Sequence, residues 1–175
     1  MIGISTLIQQ RRSIRKFLPQ AVETEKIDLL LKSVLMAPTS KNSKSWQFVV
    51  VDDPALLQQL STSRPMGSAL IANAPMAVVV LADPSKSDAW LEDAAIASVF
   101  LQLQAEDLGL GSCWVQIARR PHNDDVSAEQ YIRNLLQIPD ELNVVNVIAI
   151  GYKDEERRPY DEAKLPYDRV HRNKF

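Results

Sequence analysis

The stretch RRSIRKF, Arg11–Phe17, sets four cations into six positions of a chain whose formal charge is −2. Arg11, Ser13 and Arg15 alternate, so in an extended segment all three side chains face one way. Two guanidinium forks flanking a hydroxyl make a phosphate socket, because arginine binds phosphate bidentately and serine donates a further hydrogen bond. The same residues also suit a helix C-terminus, where cations complement the macrodipole, or a nucleic-acid patch. A second segment, APTSKNSKSW from Ala37 to Trp46, is a polar loop rich in hydroxyls. Its amide, Asn42, donates and accepts at once. Such uncharged groups suit the edge of a heteroaromatic ring, and equally an ordinary connector between elements.

Other chemistries find little support. The two histidines, His122 and His171, lie far apart with no ligand spacing around either, and the single cysteine, Cys113, sits in an apolar strand pattern where it reads as an inert small hydrophobe. There is no G-x-S-x-G, no P-loop and no G-x-G-x-x-G; GLGS follows a helical pattern, whereas the dinucleotide fingerprint precedes one. The chain lacks side-chain machinery for acid–base or nucleophilic catalysis. If it is an enzyme, a cofactor carries the hard step.

The elements that position these residues are legible in outline. A first helix is expected over Ile4–Gln10, with Ile4, Leu7 and Ile8 on one face. In TEKIDLLLKSVLMAP, Ile27, Leu30, Leu31, Val34 and Leu35 form an amphipathic stripe, with Thr24 as N-cap and Pro38 as the stop. SWQFVVVDD reads as a strand, Pro54–Ser61 as a short helix and APMAVVVLAD as a second, buried strand. The longest helical pattern covers Asp88–Leu108; its small residues Ala95 and Ser98 suggest close approach of another helix, such as its counterpart in a dimer. Gly109–Gly111 supply a C-cap and turn. SCWVQI is a third strand, Ser127 and Gln130 have capping-box spacing for a helix running to about Leu136, and VVNVIAIGY is a fourth strand. From Lys153 the composition turns polar, with two prolines and no helical period. Four strands interleaved with helices give an α/β (α+β) fold in two or three layers. The tail over 153–175 is expected to dock on a second subunit.

Composition bounds the remaining possibilities. With 175 residues, 46% apolar and 24% charged, the chain fits one globular domain. Slight net acidity argues against bulk attraction to nucleic acid or an acidic membrane, and RRSIRK has no aromatic interleaving beyond Phe17. No apolar run reaches the roughly 20 residues of a membrane span. The first twelve residues carry cations after the apolar ones, the reverse of a secretory signal, and one cysteine fits a reducing compartment; a cytoplasmic protein is expected.

The order and spacing of RRSIRKF, APTSKNSKSWQFVVV, GLGSCWV and IAIGYKDEERRP resemble those of the FMN-dependent nitroreductase family over nearly the whole chain. The resemblance implies a nitroreductase-like fold, a central mixed or antiparallel sheet flanked by helices, in an intertwined homodimer. It implies one non-covalent FMN at each subunit interface and NAD(P)H as electron donor. Arg11, Arg12 and Ser13 match the phosphate-end positions, and Arg15 a cation near flavin N1 and the C2 carbonyl. There it would stabilise the negative charge that two-electron reduction brings. Pro38, Thr39, Ser40 and Asn42 match a loop contributed by the other subunit. Trp114, Val115 and Gln116 match a stretch that lies against the flavin and offers a backbone N–H to N5. Ser68 falls near a position that contacts the pyrimidine edge, and Arg157 and Arg158 resemble late cations that close over the phosphate, with neither preferred. The implied activity is ping-pong hydride transfer through N5 to nitroaromatics, quinones or similar flat electrophiles. The alternatives are a specialist of the same fold (flavin reduction, dehalogenation, biosynthetic oxidation) and a non-catalytic FMN-binding dimer. The chain departs from the family where Lys44 and Ser45 replace the usual Gln-Pro, and it is short, which leaves little to roof a pocket.

Overall fold

The computed structural model describes residues 3–175. Four strands form one antiparallel sheet: β1 (Trp46–Val51), β2 (Met76–Ala82), β3 (Leu110–Gln116) and β4 (Asn143–Tyr152), in the order β1-β2-β4-β3. Helices α1 (Ile4–Gln10), α2 (Thr24–Leu35), α3 (Pro54–Leu60), α4 (Trp90–Asp107) and α5 (Ala128–Leu136) cover its faces in three layers. Central strand β2 is buried along its whole length. Met76, Val78, Val80 and Ala82 face α2 and α4, and Ala77, Val79 and Leu81 face α3 and α5. That double burial is why APMAVVVLAD reads as an unbroken apolar run.

Local signals act as the sequence predicts at several ends. Asp53 caps α3 through Leu56 N–H, and Ser127 Oγ accepts from Gln130 N–H at 3.0 Å. The reciprocal half of that box is missing, since Gln130 Nε2 bonds Asn134 instead. Thr24 is the first residue of α2, and Glu23 holds the cap position without a side-chain cap bond. Gly109 takes a left-handed φ of +74°, but Gly111 belongs to β3 and serves a different purpose. A β-carbon there would lie 2.8 Å from Ile14 Cβ. Glycine lets the basic segment press directly onto β3.

Helix α4 carries a polar seam on its sheet-facing side. Asp93, Ser98 and Gln102 are all buried. Asn146 Nδ2 donates to Ser98 Oγ at 2.9 Å, and the bulge opposite Val80/Leu81 lets both Val145 and Asn146 face α4. The small residue Ser98 therefore receives the chain's own sheet. The opposite ridge of α4 is apolar and exposed at Ile96, Val99 and Phe100. It borders a groove of about 510 Å³ lined by Ile4, Leu7, Met36 and Leu103 among others. Every residue from Glu156 to Phe175 is exposed, including Leu165, Tyr167 and Val170. The surface of 10476 Å² for a 19.7 kDa chain exceeds the roughly 8,600 Å² of a compact monomer of that mass. Among the described residues no helix is long and apolar enough to cross a membrane.

Replacing Gly111 with alanine is expected to force Ile14 off β3 and destabilise the chain by about 1–3 kcal/mol, as overpacking does. Denaturant unfolding of Gly111→Ala checks this, and an unchanged midpoint would refute the close-contact account.

Candidate functional site

Residues 11–18 are extended and wedged between two partners. Ser13 bridges Ser112 of edge strand β3, and Ile14 N–H donates to Ser112 O at 3.0 Å. On the other side the segment runs antiparallel to the chain after β4. Leu18 N–H bonds Tyr152 O, Phe17 bridges Lys153, Asp154 N–H bonds Lys16 O, Arg15 meets Glu155, and Arg12 Nη1 donates to Arg158 O. This single register puts Arg157 opposite Ser13. Ile14 and Phe17 are buried in the core on the α3/α5 side, while Arg11, Arg12 and Ser13 are half-buried and Arg15 is exposed.

The consequence is a cleft of about 160 Å³ lined by Arg11, Arg12, Ser13, Arg15, Arg157 and Tyr160. That suits an oxyanion and lies well below the roughly 300 Å³ at which whole-ligand pockets begin. Arg12 lies over the Tyr160 ring, 4.6 Å from its centroid, and Tyr160 N–H bonds Gln9 O at 3.0 Å. Of the two late arginines, Arg157 lines the cleft, whereas Arg158 lends its carbonyl to Arg12 and lines a neighbouring groove with Pro159 and Leu165. Glu155 accepts from Arg15 N–H at 2.5 Å and pairs with Arg157 at 2.6 Å. The Arg15 N–H, and after it the Arg157 charge, hold its carboxyl below the ordinary range against the opposing effect of burial.

Edge strand β3 continues this wall. Ser112 turns its carbonyl outward to Ile14. By antiparallel alternation Trp114 and Gln116 also turn their backbone N–H and C=O groups to the open edge, while Val115 pairs with Val147. Val115's side chain is core. Gln116 Oε1 accepts from Trp114 Nε1 at 2.9 Å, and Gln116 O accepts from Arg64 Nη1 at 2.9 Å. Nothing in the sequence marks Arg64 as part of this wall. Burial first, and then the charge of Arg120, push its pKa down. Ser68 is fully buried; its hydroxyl donates to Ser61 O at 2.7 Å and accepts from Arg64 N–H. The structure thus places Ser68 beneath Arg64, away from the open edge. Burial pushes the Cys113 thiol up, with the charge of Arg15 opposing.

The loop Pro38–Ser45 is shaped by strain and by Asp93. Lys41, Asn42 and Lys44 have φ of 51°, 54° and 49°. Asp93 accepts from Ser40 N–H at 2.8 Å, Ser43 Oγ at 3.2 Å and Ser45 Oγ at 3.3 Å. Thr39 Oγ1 accepts from Lys44 N–H. Ser45, fully buried, is thereby explained; Lys44, like Asn42, is exposed. Pro38, Thr39, Ser40 and Asn42 stand together here but not with the cationic cleft. The loop leads into β1, three strands across from β3, about 14 Å away at the usual strand spacing. The register also puts Trp46 beside Ala82, while Ser112 lies level with Met76, about 20 Å along β2. Nothing in the sequence marks Asp93, which reads as an ordinary first-turn acid of α4, or Glu155, which reads as part of a solvated acidic run.

Comparison with known proteins adds a family context. The sequence model of the nitroreductase family matches residues 8–64 and 58–152. A solved structure of an FMN-dependent nitroreductase from Clostridium difficile is 46% identical, covers 97% of this chain and 98% of its own, and superposes with a TM-score of 0.95. A protein from Archaeoglobus fulgidus, provisionally named NADH dehydrogenase/NAD(P)H nitroreductase, is 34% identical over 174 residues, 97% of each chain. A solved structure from Parabacteroides distasonis with the same provisional name is 31% identical, covers 100% of both chains and has a TM-score of 0.90.

The depressed Glu155 pKa gives a signed expectation. Its contribution to stability is complete above the ordinary carboxylate value of about 4.3 and is lost as pH falls through its lower folded value. Denaturant midpoints measured from pH 6 to pH 3 should fall less steeply for Glu155→Gln than for the wild-type chain.

Proposed function

The chain belongs to the nitroreductase family, and on that premise we propose that it is an FMN-dependent oxidoreductase that uses NAD(P)H to reduce nitroaromatics, quinones or similar flat electrophiles. One observation carries the reading. Four guanidinium groups and a hydroxyl converge on a cleft of phosphate size, beside an edge strand with open backbone donors.

The residues present fit FMN. Arg11, Arg12, Ser13 and Arg157 would hold the phosphate, whose charge of nearly −2 needs several cations. The outward N–H groups of Trp114 and Gln116 would meet the ring edge, and Gln116 takes the backbone role here in preference to Val115, whose N–H is paired within the sheet. Arg15 is exposed at the same edge; it would favour negative charge on the N1–C2=O side. Arg64 stands at the far end of that edge and takes the outer place expected for Ser68. When bound, FMN supplies the redox chemistry, accepting hydride from NAD(P)H and passing it to the acceptor. The protein's own part is binding, orientation and a fixed positive field.

A second copy of the chain completes the site in this proposal. The loop carrying Asn42 is too distant from the cleft of its own chain, and a partner's loop would supply it. The apolar ridge of α4, the groove beside it and the arm over 153–175 offer the surface for that contact, consistent with the excess exposed area. An apolar-sided helix needs cover on each face.

Purified protein should take up FMN, turn yellow and bleach anaerobically with NADH or NADPH; colourless protein that binds no added FMN defeats the proposal. Arg15→Gln should retain FMN but lower its two-electron midpoint by roughly 30 mV, the equivalent of a loss of about 1.4 kcal/mol, measured by dye-coupled titration. Sedimentation should give twice the mass of 19.7 kDa, and a chain ending at Tyr160 should shift toward monomer.

A further inference from the structure

Glu155 poses a puzzle, because it brings a carboxylate into contact with a cluster suited to an anion. Its neighbours Asp154 and Glu156 are exposed and make no side-chain bond among the described residues. Glu155 differs. One oxygen accepts from the backbone N–H groups of Arg15 at 2.5 Å and Lys16 at 3.3 Å, and the other pairs with Arg157 Nη2 at 2.6 Å. Its side chain is only 13% exposed, against 46% for Arg157.

One carboxylate therefore spans both segments of the cleft. It fixes the first at the residue that aims Arg15, and it holds one nitrogen of a guanidinium on the second. Arg157 lies beyond the last strand, and Glu155 is its side chain's bonding partner among the described residues. A guanidinium carries five N–H donors, so this contact leaves others free to meet a ligand.

Resting on the reading of the cleft as the FMN phosphate site, we propose that Glu155 is a positioning residue that preorganises Arg157 and the Arg15 backbone for the phosphate. Two effects oppose each other. Repulsion between carboxylate and phosphate weakens binding, whereas holding a long exposed side chain in place removes an ordering cost from the binding step. Preorganisation prevails because the carboxylate charge is already met at contact distance by Arg157 and two N–H groups. Charge alone predicts the opposite sign, which makes the proposal decidable.

The experiment titrates FMN and riboflavin, which lacks the phosphate, into the wild-type chain, Glu155→Gln, Glu155→Ala, Arg157→Ala and the double variant Glu155→Ala/Arg157→Ala. Glu155→Ala should weaken FMN by about tenfold, the scale of one charge-assisted contact, and leave riboflavin within about twofold. Glu155→Gln keeps an acceptor for the Arg15 N–H but loses the ion pair, so it should fall between wild type and Glu155→Ala. The double variant should lose less than the sum of the two single losses, because the part of Glu155's role that runs through Arg157 is already gone in Arg157→Ala. Riboflavin binding also reports that each variant is folded. FMN affinity unchanged or tighter in both Glu155 variants, additive losses, or equal loss for both flavins would each overturn the assignment while leaving the FMN reading intact. A wild-type chain that binds no FMN overturns both.

Discussion

Everything at the cationic cleft depends on one backbone register, the antiparallel pairing of residues 12–18 with 152–158. Left to electrostatics, four guanidinium groups would not gather. A like-charged pair at 4 Å costs about 1 kcal/mol in water. Burying a side chain such as Ile14 or Phe17 returns about 1.5–3 kcal/mol, and both are driven into the core from this segment. Backbone hydrogen bonds on two sides then fix where each arginine leaves the chain. Hydrophobic anchoring holds the segment, and the charges are carried with it.

Helix α4 performs the matching task for the polar loop. A buried carboxylate without a cation is costly unless its oxygens are hydrogen-bonded. Asp93 meets that condition through one backbone N–H and two serine hydroxyls. In doing so it stabilises three left-handed residues that have no glycine among them. Farther along the seam, Ser98 reaches β4 and Gln102 reaches β3, its Nε2 lying 3.4 Å from Ser112 Oγ. Ser112 is the residue that receives the basic segment. One helix thus registers the loop at one edge of the sheet and the strand at the other.

That same architecture keeps the two halves apart in a single chain. An open sheet keeps its opposite edges apart, and the register adds displacement along the strands to displacement across them. The exposed ridge of α4 and the outlying arm belong to the same picture. The proposal of a second copy accounts for the divided site and the excess exposed surface with one assumption.

Much of the fold was legible because it rests on local pattern. Strands β1, β2 and β4, helices α1, α3 and α5, the Asp53 and Ser127 caps and the alternation of Arg11, Ser13 and Arg15 follow from periodicity and short-range hydrogen bonding, which neighbours in the chain settle among themselves. What the tertiary structure decided is of another kind. Thr24 proved to be a first-turn residue, Gly111 a contact point in place of a turn, Ser68 a buried brace, and Arg157, unlike Arg158, a wall of the cleft. Glu155, Asp93 and Arg64 acquired partners 140, 53 and 52 positions away. No local rule encodes such pairings, because they arise only when the core closes and fixes which strand edges meet. The residue types were therefore given by the sequence, while their relative directions were set by long-range register.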